Sequence, residues 1–410
     1  MKIGVIGSGI SGLSIAKLFS IENEVVILEK SSSCGGIART SDINGISYHK
    51  TGGHCFNSKY KEVLDFVFNL LPENEWHKIQ RNAFIKLNNY EINYPIEFSI
   101  KQISKYDENL AIKIVRDFLA TNDEDLYLNL EDWFRKKFGN TLAEEYFIPY
   151  NKKIWNKNPI EMDPMWVKDK LPIPNKSSFF RSLTGNEKDK MPHSEFYYPN
   201  SNNQNSLIEK LAFGLNIFYD FNVNRISKNT LSNKWIVNEE LEFDLIINTS
   251  PLNELPSKIE NCPENVIKSA NSLEYNKVTT MLWESLPTNK TWTYIPDSNI
   301  LFHRYIHIGN FFKPIQNVTI TEAVGDISYD EMVRNGKLDS FLIKPLAYHS
   351  SDHAYVVFNQ NYSNNREIIF NYLNEIGLYT LGRFGEWEYY NMDICIKKAI
   401  DLFSIINKKK

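Results

Sequence analysis

The segment "KIGVIGSGISGLSIAKLF" (2–19) leaves the chain few ways to fold. Its opening residues, "KIGVI", read as a short buried strand, and the apolar spacing from about Ile10 to Phe19 reads as a helix. Between them Gly7, Gly9 and Gly12 form a G-x-G-x-x-G turn. The first glycine permits the tight turn, the second lets the backbone approach a pyrophosphate, and the third lets helix and strand pack closely. A second strand, "EVVILE", ends in Glu29, 17 residues after Gly12 and placed to accept hydrogen bonds from ribose hydroxyls. Strand, turn, helix, strand and acid in that order predict a Rossmann-type unit, with a pyrophosphate on the unsatisfied amides at the helix start.

That unit alone leaves NAD and FAD open. The next segment, "CGGIART", discriminates: Gly35, Gly36 and Arg39 resemble the second phosphate-contacting turn of FAD-containing oxidoreductases. Further on, Gly52, Gly53 and His54 offer another close backbone approach, assigned here to the isoalloxazine. For His54 the plainer alternative is a hydrogen-bonded histidine at a strand end.

A chain of 410 residues folds as two or three domains. Its net charge of −4 gives no electrostatic case for nucleic acid or an anionic membrane. No run of 18 apolar residues is present, so no membrane span is expected. Cys34, Cys55, Cys262 and Cys395 show no metal-ligand spacing, which predicts no metal site and suits the reducing cytoplasm. Beyond the nucleotide unit, "KYKEVLDFVFNLL" is helical and "NAFIKLNNYEINYP" reads as a hairpin with an Asn-Asn turn. Residues 100–147 are mostly helical, 168–194 read as a long aperiodic loop, strands dominate 275–325, and a helix closes the chain.

The final helix is preceded by "GRFGEWEYYNMD", with two glycines, an arginine and four aromatics. With this run in place, the chain resembles the UDP-galactopyranose mutase family of flavoenzymes, closer to its eukaryotic-type members. The carriers are "GVIGSGISGL", "GGHCF", "EWHKIQRNAFIKLNNYEINYP", "PYNKKIWNKNP", "LFHRYIHIGNFF", "SDHAY" and the closing run itself. The resemblance implies an α/β fold: a discontinuous FAD-binding Rossmann-type domain, an inserted helical domain and an antiparallel β-sheet substrate domain. The expected boundaries are 1–73, 205–265 and 340–410 for the FAD domain, 74–100, 186–204 and 266–339 for the sheet domain, and 101–185 for the helical domain with its mobile loop.

In that family reduced flavin N5 attacks the anomeric carbon of a nucleotide sugar, and pyranose and furanose forms interconvert without net redox change. The resemblance therefore implies FAD, active when reduced, and a nucleotide-diphosphate sugar as substrate. It places the C-terminal helix start, with Asn391 and Met392, at the flavin pyrimidine edge, where its partial positive charge favours the anionic reduced ring. Gly382 and Gly385 would let the backbone pass close to that ring, and Arg383 would add positive charge. Arg304 matches an arginine that grips the diphosphate, a role suited to a bidentate fork. Tyr355 and Tyr389 match tyrosines bonded to the same phosphates. Tyr150, Asn151 and Trp155 match the wall around sugar and nucleotide, and Tyr94 matches a ring packed on the base. Lys170 stands where the mobile loop carries a second arginine, and Glu97 where a glutamine would meet the base. The catalytic group expected is thus Arg304, Lys170 and His54.

Two other readings share the N-terminal motifs: a flavin oxidoreductase of the amine-oxidase or protoporphyrinogen-oxidase kind, and a non-catalytic relative that keeps the fold as a scaffold. Arg304, Tyr355 and Tyr389 favour the mutase, because an amine or apolar substrate needs no diphosphate grip. Cell-surface polysaccharide synthesis is the implied setting. The sugar, the base, and whether the protein works as a homo-oligomer stay open.

Overall fold

The computed structural model describes the chain except for residues 89, 123–125, 168–170, 185–193, 230 and 409–410. Lys170 therefore lies outside the described residues, as do 168–169 and 185–193 of the expected loop.

Lys2–Ile6 is the middle strand of a five-stranded parallel sheet, between Leu245–Asn248 and Glu24–Leu28, with Tyr379–Thr380 and Asn216–Phe218 at the edges. Its apolar run is buried on both faces, as parallel strands covered by helices require. Helix Ile10–Phe19 packs on this sheet and against the C-terminal helix Met392–Asn407, so the two ends of the chain share one core through Leu13, Phe19, Ile396 and Ala399. The nucleotide-binding unit is thus assembled from distant parts of the chain.

A seven-stranded sheet forms the second layer. In order its strands are Leu342–Val357, Glu274–Ser285, Val318–Val324, Arg304–Ile306, Trp292–Tyr294, Ala83–Leu87 and Tyr90–Asn93. All neighbours run antiparallel except Trp292–Tyr294 and Ala83–Leu87, which are parallel, a departure from the purely antiparallel sheet expected. The hairpin over 83–93 is present, and Asn88 takes the positive φ its turn needs. The long strand Leu342–Val357 pairs along most of Glu274–Ser285, so the sheet continues past the boundary expected at 339. Helices Ile100–Tyr106, Glu108–Leu119, Leu130–Phe138 and Ile148–Trp155 pack over one end of this sheet.

The stretch 168–194 is not a loop throughout. Lys176–Thr184 is a helix, opened by Asn175, whose side-chain oxygen accepts from the Ser178 N–H at 2.8 Å. Phe179 anchors it, fully buried and stacked on Phe118 with ring centroids 4.0 Å apart. A single buried aromatic is too sparse a pattern to show as a helical stripe, which is why periodicity overlooked it.

Candidate active site

A cleft of about 1460 Å³ runs from the glycine turn, under the large sheet, to the helices around Tyr150. A pocket for one small ligand spans roughly 300–1,000 Å³, so this one has room for two molecules side by side.

At one end, Gly7 holds φ +95° and Gly9 faces open space, with nothing within 4 Å of where a Cβ would stand. Gly12 does not line the cleft: a Cβ there would meet the Gly7 carbonyl oxygen at 2.0 Å, so it permits the helix to sit against the turn. Glu29 accepts from the Ser8 N–H at 2.8 Å, the Ser8 hydroxyl at 2.6 Å and the Ser31 N–H at 2.7 Å. Those three donors hold its carboxylate at the cleft edge. Gly35 and Gly36 line the same end, and a Cβ on Gly36 would stand 3.2 Å from Gly9 Cα, so the two turns meet back to back. Arg39 joins them, donating to the Ser33 carbonyl at 3.0 Å.

Midway, Gly53 and His54 face the cleft. Gly53 lies against Ile306, whose Cγ2 a Cβ would approach to 2.9 Å. Burial, with the nearby charges of Arg383 and Arg304, pushes His54 down to about 4, so it is neutral at pH 7. Its Nε2 is sealed from water without a hydrogen-bond partner. Opposite lies the start of helix Met392–Asn407, with Asn391 and Met392 on the cleft wall. Arg383 donates to the carbonyls of Ala354 at 2.6 Å and Tyr390 at 3.4 Å, and its guanidinium stands 4.4 Å from the Tyr389 ring centroid. Gly382 and Gly385 do not approach the cleft. Cβ atoms there would meet the Ser11 hydroxyl at 2.1 Å and the Asn248 carbonyl at 3.0 Å, so these glycines bring the turn against the first helix and the parallel sheet.

Arg304 lies beside Gly52, where a Cβ would stand 3.3 Å from its Nη2, and directly across the strand pair from Glu322. Its Nε donates to Glu322 Oε1 at 3.0 Å and its Nη2 to Oε2 at 3.1 Å; Nη2 also donates to the Tyr355 hydroxyl at 2.8 Å. Tyr355 in turn donates to Glu322 Oε1 at 2.8 Å. Burial alone would raise the Glu322 carboxyl, but the Arg304 charge beside it holds it well below the ordinary range. The arginine expected to grip phosphate with its fork therefore uses that fork on a carboxylate, and Nη1 is the guanidinium nitrogen left to a ligand. Burial keeps the Tyr355 and Tyr150 phenols far above their usual range, so both stay protonated donors.

Trp155 is only 1% exposed and packs edge-on to Tyr355 and Tyr389, at 5.8 and 5.9 Å. Asn151 donates to the Phe147 carbonyl at 2.8 Å and accepts from Trp155 Nε1 at 3.0 Å. Both belong to the cleft wall, but the Asn151 amide serves to orient Trp155 within their helix. Tyr94 and Tyr150 flank Tyr294, at 5.1 and 5.8 Å, and Glu97 is buried beside them.

Glu322, Arg81 and Tyr294 escaped the sequence reading. Arg81 lines the cleft between the Tyr94 and Trp292 rings, 5.1 and 5.0 Å from their centroids, and donates to the Tyr294 hydroxyl at 2.6 Å. A signal for Glu322 was present: it is the lone acid in the otherwise apolar and threonine-rich strand "VTITEAV".

Four buried histidines share one electrostatic property. Burial, the largest cause in each, pushes His49 well below its usual value, His54 to about 4, His307 to about 3, and His303 downward. The unfolded chain takes up protons near pH 6.5 while the folded chain does not, so stability is lost as pH falls from about 6.5 towards 4. Each group contributes up to about 1.4 kcal/mol per pH unit in that window. Melting temperatures between pH 7.5 and 5 should fall steeply; a flat profile would mean these rings reach water.

Comparison with known proteins bears on the fold. Residues 5–70 match the model of an NAD(P)-binding Rossmann-like domain. A dTDP-fucopyranose mutase of Escherichia coli is 23% identical over 431 aligned positions, covering 98% of this chain and 97% of that protein. The structure of a reduced UDP-galactopyranose mutase shares this chain's fold at TM-score 0.85 and 20% identity, over 100% of this chain and 94% of the other. A protoporphyrinogen-oxidase candidate from Exiguobacterium sp. shares it at TM-score 0.77 and 15% identity, over 100% and 99%. Fold alone thus accommodates both chemistries, and the cleft must choose between them. Among the described residues no helix is long and apolar enough to cross a membrane.

Proposed function

We propose that the protein is an FAD-dependent mutase that interconverts the pyranose and furanose forms of a nucleotide-diphosphate sugar. The observation that carries this reading is the Arg304–Glu322–Tyr355 cluster, in the same cleft as the dinucleotide turn. The residues present suit FAD. Gly9 borders open space, Glu29 presents a fixed carboxylate, and the C-terminal helix turns its amino end to the cleft. The cleft walls also carry polar atoms sealed from water without partners, at His54 Nε2, Arg81 Nε and Arg383 Nε. Buried polar groups are rarely left so, and their gathering along one cleft suits polar ligands.

When bound, reduced flavin supplies a nucleophilic nitrogen for the anomeric carbon. The chain does the rest. Arg304 Nη1 and the Tyr389 hydroxyl take the diphosphate, while Tyr355, whose one O–H is spent on Glu322, holds the grip in place; the charge the diphosphate gains on leaving is stabilised most where water is excluded. Tyr150 and Trp155 form the wall that excludes it, and Tyr94 packs on the base. His54, kept neutral, adds no charge beside the ring. Lys170 adds a cation from the loop: Lys170→Ala should slow turnover about 10²-fold, and a rate within about threefold of wild type would remove Lys170 from the mechanism. The enzyme would work in the cytoplasm and supply furanose units for cell-surface polysaccharide.

Heat-denatured protein should release FAD. The dithionite-reduced protein, offered dTDP- and UDP-sugars, should equilibrate the two ring forms without consuming reductant. Release of NAD, or oxidation of an amine or porphyrinogen with stoichiometric electron uptake, would favour the oxidoreductase reading.

A further inference from the structure

We propose that His303 is a positioning residue that aims the guanidinium of Arg304 through Glu322, an inference that rests on the mutase reading. His303 and Glu322 are both completely buried. The His303 Nε2 lies 2.9 Å from Glu322 Oε1, a close contact too far off line to form a hydrogen bond, and Nδ1 has no partner either. An apolar ring would fill this buried place, 6.5 Å from the Tyr355 ring, without leaving a nitrogen unsatisfied, so the imidazole is explained by what Nε2 faces. Oε1 already receives Arg304 Nε and the Tyr355 hydroxyl. An N–H on Nε2, this close to the same oxygen, adds an electrostatic hold that opposes rotation of the carboxylate away from the guanidinium. With Glu322 held on three sides, Nε and Nη2 of Arg304 stay paired, and Nη1 keeps one bearing on the cleft.

The backbone around His303 is held equally firmly. Its N–H donates to the Glu322 carbonyl at 3.0 Å, and its carbonyl accepts from the Ile295 N–H at 2.9 Å. Lys153, on the helix that carries Tyr150 and Trp155, donates to the carbonyls of Ile295, Asp297 and Phe302 at 3.1, 2.7 and 2.7 Å. His303 thus stands where the helix of the sugar wall is tied to the strand of the diphosphate grip. The ring touches no substrate in this arrangement; it acts through Glu322.

The test is calorimetric binding of dTDP and UDP to the flavin-loaded wild type and to His303→Phe and His303→Gln. Phenylalanine keeps the ring shape and loses the donor, whereas glutamine loses the shape and keeps a donor. Positioning predicts binding weakened about tenfold or more by phenylalanine and less than about threefold by glutamine, with flavin content unchanged in both. A filler role predicts the opposite order. Phenylalanine binding like wild type, or glutamine binding more weakly than phenylalanine, overturns the inference. If the phenylalanine variant does not fold, the glutamine variant decides alone: binding within about threefold supports positioning, and anything weaker overturns it. A wild type that binds neither nucleotide overturns the mutase reading and this inference with it.

Discussion

Arg304→Ala should abolish turnover, lower the stability of the protein, and leave the flavin in place. The two losses have separate causes. On the proposed function, turnover should fail because the cleft loses the cation that would meet the leaving diphosphate, an effect of about 10²–10³-fold or more for one such stabiliser. Stability falls because Glu322, completely buried, loses its two guanidinium bonds and remains as an uncompensated charge. Breaking one half of a buried pair costs about 3–5 kcal/mol. The double variant Arg304→Ala/Glu322→Gln separates them: a neutral amide should return most of the stability and none of the activity. Denaturant melts and turnover measured on both variants check this. Near-normal turnover in Arg304→Ala, or no recovery of stability in the double variant, would mean that Arg304 serves another purpose.

Gly9→Ala should fold normally and purify without flavin. Gly9 has φ −69°, which alanine adopts freely, and a Cβ there meets nothing within 4 Å. The protein therefore has no reason to resist the methyl group. The space it would enter is the one the pyrophosphate needs, because the second glycine of the turn is the point of closest backbone approach. Gly12→Ala should behave oppositely: its methyl group would stand 2.0 Å from the Gly7 carbonyl, so helix and strand must move apart. Absorbance of the purified variants at flavin wavelengths, with melting curves alongside, distinguishes the cases. A yellow Gly9→Ala protein would place the cofactor elsewhere.

The same contrast marks how far the sequence could be read. The glycine turn, Glu29 and the hairpin at 83–93 were legible because each depends on residues close in the chain and on backbone sterics that a short segment carries with it. The helix at Lys176–Thr184 was not, since its single buried anchor, Phe179, finds its partner in Phe118 far along the chain. From the family resemblance, Gly382 and Gly385 were expected to let the backbone pass close to the flavin ring. Their backbones instead turn inward to Ser11 and Asn248, a direction that only packing against the first helix and the parallel sheet sets.

By itself, then, the sequence determined a Rossmann-type dinucleotide site and the residue types that could meet a nucleotide sugar. Motif identity survives any arrangement of the rest of the chain. Only the tertiary structure decided what Arg304 is free to do. Glu322 lies 18 residues away and Tyr355 lies 51 residues away. They meet the guanidinium because the register of four strands places Arg304 opposite Glu322 and brings Tyr355 in from the sheet edge. Register is set by the burial of whole strand faces, a property spread over the sheet. No segment short enough to be read as a motif contains it.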